Sequence, residues 1–84
     1  MVSRERIPRG AVAAVAILHA AESMRAPPQR PDAHVLQAWA GLSHTIRRSL
    51  LQHRLVHEKG APRLSDRGRL VYATLRAMRS HSRR

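Results

Sequence analysis

No cysteine occurs in the 84 residues, so neither a disulfide nor a thiolate metal site can staple the fold. That lack fits a reducing compartment such as the cytoplasm. Phenylalanine is also missing, and Trp39 and Tyr72 are the only aromatics, so the core has to be aliphatic. So few rings leave little with which to stack a run of single-stranded bases. The acids are Glu5, Glu22, Asp32, Glu58 and Asp66, scattered along the chain, so catalysis by paired carboxylates has nothing to use. Long apolar runs are lacking too. "AVAAVAIL", behind Arg4, Arg6 and Arg9 and ahead of "HAAES", imitates a signal peptide. Pro8 and Gly10 stand at its mouth, and it falls short of the roughly 20 residues a membrane span takes. The expected location is therefore cytoplasmic, at the nucleoid, with no membrane partner.

What the chain has in abundance is arginine. Lysine and arginine total 16 against five acids, a net charge of +11, and all but Lys59 of the sixteen are arginine. The charge is uneven: residues 43–84 hold ten arginines and Lys59 against Glu58 and Asp66, a net of +9, while residues 1–42 carry +2. Such an excess concerns partners rather than fold, and nucleic acid is the leading polyanion. At this length the chain makes one domain, and a domain so small buries only about 60–65% of the surface its unfolded chain exposes.

Breakers and caps divide the chain. Residues 1–10 read as a flexible basic arm and 81–84 as a basic tail, with one domain from 11 to 80. From Ala11 to Arg25 nothing interrupts a helix, and Ala14, Ile17, Leu18, Ala21 and Met24 form one stripe with Val15 on its shoulder. The opposite side is also apolar, so this helix is either central in the fold or part of a dimer contact. "APPQRP" stops it. Asp32 is placed to cap a second helix, "AHVLQAWA", ending at Gly41 with Val35, Leu36 and Trp39 inward. Ser43 caps a third helix from His44, with Ile46, Leu50 and His53 on one face. Continuing past Arg54 would point Leu55 at solvent, so the helix should end there. "LVHEKGAPRLS" then reads as a small hairpin, Leu55–Glu58 against Pro62–Ser65, or as an irregular loop. Ser65 caps a fourth helix, "DRGRLVYATLRAMRS", with Val71, Leu75 and Met78 as its buried stripe.

The order helix, tight turn at Gly41–Leu42–Ser43, basic helix, hairpin, helix resembles the winged helix-turn-helix family of DNA-binding domains. "GLSHTIRRSLLQHRLV" is similar to that family's turn and recognition helix, and "RLSDRGRLVYATL" to the segment that closes the wing in bacterial and phage regulators. There a Ser or Thr caps the closing helix and a Gly lets it pack closely, the positions of Ser65 and Gly68. The resemblance covers about residues 33–78. It implies a mostly α fold of three or four helices with a short β-hairpin wing. The implied function is sequence-specific binding of double-stranded DNA, as a small transcriptional regulator, a phage or mobile-element repressor, or an excisionase-like accessory factor.

A helix fits the major groove, and the outward set His44, Thr45, Arg48 and Gln52 would read base edges. Ser43 at the helix start, with Arg47, Arg54, Lys59, Arg63, Arg67 and Arg69, suits phosphates. Arg4, Arg6 and Arg9 would reach a minor groove. The apolar helix 11–25 makes a homodimer the expected assembly. His53 and His57 have a spacing that can hold a metal on a helix, but no third ligand accompanies them, and adjacent Ser43 and His44 cannot face each other as a nucleophile pair. A non-enzyme without cofactor or metal is expected. Two rival readings stay open: an RNA- or ribosome-binding basic protein, and a protein-interaction module docking through helix 11–25.

Overall fold

The structure, a computed structural model, describes residues 7–82, with side-chain environments as far as residue 79. It contains four helices: α1 (Arg9–Ser23), α2 (Ala33–Ala40), α3 (His44–Gln52) and α4 (Asp66–Ser82). The mostly α expectation holds. Helix α1 is the central element and packs against each of the other three. It begins at Arg9, so the basic arm expected over residues 1–10 gives up its last two residues to the helix, and α4 likewise takes in residues 81–82 of the expected tail. The alanine-rich composition of α1 allows this crowding. Ala11, Ala14, Val15, Leu18 and Ala21 are buried, small side chains that let three helices approach one axis.

That stripe is rotated from the expected one. Ile17 and Met24 are exposed, and Ala11 and Val15 take their places. In α2 only Val35 is buried; Trp39 is half-buried and Leu36 faces solvent. Asp32 stands at the α2 N-cap position but makes no cap hydrogen bond, because its carboxylate is held by the Arg63 guanidinium, with Nε donating at 2.9 Å. Gly41 ends α2 with a right-handed backbone rather than a left-handed one. The turn is fixed instead by Leu42 N donating to Trp39 O and by Ser43 Oγ accepting from Ile46 N at 3.2 Å.

Helix α3 ends as the sequence requires, in a Schellman motif. Arg54 N donates to Leu51 O and Leu55 N to Leu50 O, while Arg54 adopts φ 57°. The motif's apolar contact is supplied by Leu50 and Leu55, both fully buried. Turning inward at Leu55 keeps that side chain out of water.

The β-hairpin wing does not form. Among the described residues there is no strand, only an isolated antiparallel bridge, Val56 to Leu64, closed by His57 N to Arg63 O and Ser65 N to Leu55 O. Local chemistry explains why the ladder stops. Arg63 N turns back to Ala61 O at 2.7 Å, and Pro62 has no N–H to give. Leu64 N points away from the bridge and donates to Glu22 Oε2 on α1 at 2.7 Å.

Glu22 is thus the hub of this corner. Its side chain is 7% exposed, and Oε1 accepts from Arg69 of α4 at 2.7 Å. One turn earlier on α1, His19 stacks on Tyr72 with ring centroids 3.8 Å apart, so α4 runs antiparallel to α1. The α4 contact face is therefore Gly68, Val71, Tyr72 and Leu75; Met78, expected inside, is exposed. Glu22→Ala should lower the stability of the fold by about 2–3 kcal/mol, since it strands the Leu64 N–H and a guanidinium together. Glu22→Gln keeps an acceptor for Leu64 and should cost about half as much. Urea denaturation followed by circular dichroism measures both, and equal losses would refute the role given to the Leu64 bond.

Candidate nucleic-acid interface

Helix α3 is short, and its two faces are sharply divided. Leu50 is buried, Ile46 and His53 are partly buried against the core, and His44, Thr45, Arg48 and Gln52 are all exposed on the opposite face. The four residues expected to read bases are therefore brought together on one outward surface. Close approach at the other side holds the helix in place. A Cβ on Gly10 would meet the Ile46 side chain at 3.2 Å, so the start of α1 lies directly against α3.

The expected phosphate contacts divide into three groups. Ser43 and Arg47 stay with α3, at its first turn. Arg54 and Lys59 line an open depression of about 440 Å³ with Val56, His57, Glu58 and Ser65, just past the end of α3. The rest lie elsewhere. Arg63 is ion-paired to Asp32, Arg69 to Glu22, and Arg67 borders an apolar groove between α1 and α4. Of the proposed arm, Arg4 and Arg6 fall outside the described residues, and Arg9 is the exposed first residue of α1.

Two further residues border this surface: Trp39, expected to face inward, and Leu51. Trp39 from the end of α2 and Leu51 from α3 line a notch of about 490 Å³ together with His44, Arg47 and Arg48. The tight turn at residues 41–43 folds the last turn of α2 back beside the first turn of α3. A half-buried indole just before a helix-turn-helix turn was the available signal for this notch.

Arg54 repays a closer look, because glycine is the usual residue at a left-handed helix end. An arginine held there costs roughly 1–2 kcal/mol against glycine. Its carbonyl is pinned by the Ser65 hydroxyl at 2.6 Å, which fixes the strained residue to the start of α4. Arg54→Gly should therefore raise stability by about 1 kcal/mol in thermal melts. A loss of stability would mean that the guanidinium holds the fold.

Among the described residues no group of three or more His, Cys, Asp and Glu is placed to hold a metal ion, and no helix is long and apolar enough to cross a membrane. No protein-family model, curated protein or solved structure matches the chain.

Proposed function

We propose that this chain is a sequence-specific binder of double-stranded DNA, acting as a small transcriptional regulator of winged-helix type with its wing cut down to a single bridge. The observation that carries the reading is the exposed face of α3. His44, Thr45, Arg48 and Gln52 stand side by side on a helix anchored by Leu50, with no acid among them. Arg48 offers the paired donors that read a guanine edge, and Gln52 the donor and acceptor that read an adenine edge. Arg47 beside them, and Arg54 and Lys59 beyond the helix end, supply phosphate contacts. Arg63 and Arg69 drop out of the proposed set because Asp32 and Glu22 already neutralise them. The functional class includes repressors and excisionase-like accessory factors. The test is selection of bound fragments from random duplex DNA, followed by affinity on the selected sequence as duplex DNA, duplex RNA and single strand. Retention of the duplex DNA alone supports the reading; equal retention of the RNA duplex would make the protein an RNA binder.

A homodimer belongs to the same proposal, but its seat moves. The apolar surplus expected of helix 11–25 is largely covered within the chain, with Ile17 and Met24 left outside. A separate apolar groove of about 520 Å³ is lined by Ile7, Val12, Val71 and Leu75, and beside it Leu70 and Met78 project, 68% and 64% exposed. A patch carrying both a ridge and a groove can be self-complementary about a two-fold axis. Two bodies of charge +11 repel, so dimerisation should strengthen as salt rises, opposite to DNA binding. Sedimentation of the wild type and of Leu70→Ser at low and high salt checks this. A wild-type monomer at every salt concentration would remove the dimer.

A further inference from the structure

The notch between α2 and α3 adds an apolar wall, Trp39 and Leu51, to residues of the base-reading face. Its walls are the Trp39 indole and Leu51, and its polar groups are His44, Arg47 and Arg48, with no acid in the lining. The indole makes no ring or cation contact among the described residues, although two guanidinium groups share the notch with it. Arg47 lines the notch beside the exposed His44 and Arg48, so the notch is cationic as well as apolar.

We propose that this notch receives an unpaired nucleotide of the bound DNA, its base against Trp39 and Leu51 and its phosphate on Arg47. The chemistry selects the ligand class. A bare phosphate would leave the indole and Leu51 idle, and an apolar ligand would leave two arginines and a histidine facing it unpaired. A nucleotide is planar and apolar on its faces and anionic at its edge, which matches both halves of the lining. The inference rests on the DNA-binding reading and adds to it: the preferred target is a duplex carrying an unpaired base beside the segment that α3 reads.

The experiment uses the full chain and three DNAs: a duplex, the same duplex with one unpaired thymidine, and the same bulge with an abasic sugar-phosphate in place of the thymidine. Stacking of one base predicts that the thymidine bulge binds roughly 10-fold tighter than the other two. Trp39 is the single tryptophan, so its emission reports the site directly and should be quenched by the thymidine bulge but not by the abasic one. Trp39→Leu keeps an apolar side chain without the ring. It should abolish the 10-fold preference for the thymidine bulge over the abasic one. Because Trp39 also packs on the core, that variant is compared at equal helicity, and the wild-type quenching stands independently of it. Equal affinity for the thymidine and abasic bulges, or unchanged Trp39 emission, would overturn this inference and leave duplex binding intact. Failure to bind any of the three DNAs would overturn the DNA reading with it.

Discussion

Gly68→Ala is expected to be the most damaging single-methyl change in the protein, lowering stability by about 3 kcal/mol. The added Cβ would collide with the Leu55 carbonyl oxygen and come within 3.1 Å of a Leu64 methyl. A flexible side chain could move aside, but a carbonyl cannot. The Leu55 oxygen is held by Ser65 N at 3.0 Å in the bridge, and the Leu55 side chain is fully buried. Relief requires α4 to lift away from the end of α3, which also pulls on the Ser65 cap, whose hydroxyl accepts from Gly68 N at 3.2 Å. In a domain of this size about 3 kcal/mol lowers Tm by roughly 12–24 °C. Two other glycines serve as controls in the same melting experiment. Gly60 has φ 79° with nothing within 4 Å, so alanine there meets only backbone strain, about 1 kcal/mol. Gly41 has a right-handed backbone and an ordinary 3.5 Å contact, so alanine there should be neutral or slightly stabilising. A Gly68→Ala protein that melts like the Gly60 variant would show that α4 does not lie as tightly against Leu55 as that collision implies.

Much of this fold is legible in the sequence, and what is not has particular causes. The bounds of α2 and the start of α3 follow from Pro31, Gly41 and Ser43, where the chain's local chemistry permits few alternatives. The exit from α3 at Arg54 could be argued because a further turn would expose Leu55, and the buried Leu55 is the reason for the left-handed Arg54. Rotational settings were harder. Helix α1 is apolar nearly all round, so periodicity could not separate Ile17 from Val15; three partner helices decided it. The α4 setting differs from the expected one at Met78, which is exposed, for a related reason. That helix meets a neighbour on one side only, and the ring pair His19–Tyr72 draws its contact face toward Tyr72. The wing stops because the two N–H groups that would extend the ladder are taken locally, Leu55 N by Leu50 O at the end of α3 and Arg63 N by Ala61 O. The bonds of Leu64 N and Arg69 to Glu22, 42 and 47 residues distant, are tertiary, and no local pattern announces them. The site shows the same division. The outward face of α3 is a matter of helical spacing and was readable, whereas the neutralisation of Arg63 by Asp32 depends on tertiary approach.

That neutralisation changes how the binding should respond to mutation. If the outward face of α3 reads base edges, Arg48→Ala should cost roughly 1–3 kcal/mol on the selected sequence and relax preference at one or two positions. Lys59→Ala removes an exposed charge past the end of α3 and should weaken all duplexes about equally. It should also reduce the slope of log affinity against log salt by about one unit, as one fewer phosphate is neutralised. Arg63→Ala provides the contrast. Its charge is already matched by Asp32, so the salt slope should stay nearly unchanged, and loss of this half-exposed pair should cost no more than about 1 kcal/mol of stability. The three variants thus separate reading, gripping and folding in one set of titrations at several salt concentrations. A uniform loss of affinity in Arg48→Ala, with sequence preference intact, would mean that α3 meets the backbone rather than the groove. The reading role would then pass to another surface. A slope change in Arg63→Ala as large as in Lys59→Ala would mean that Asp32 releases its arginine when DNA arrives. The start of α2, where that aspartate stands without a cap bond of its own, would then belong to the interface.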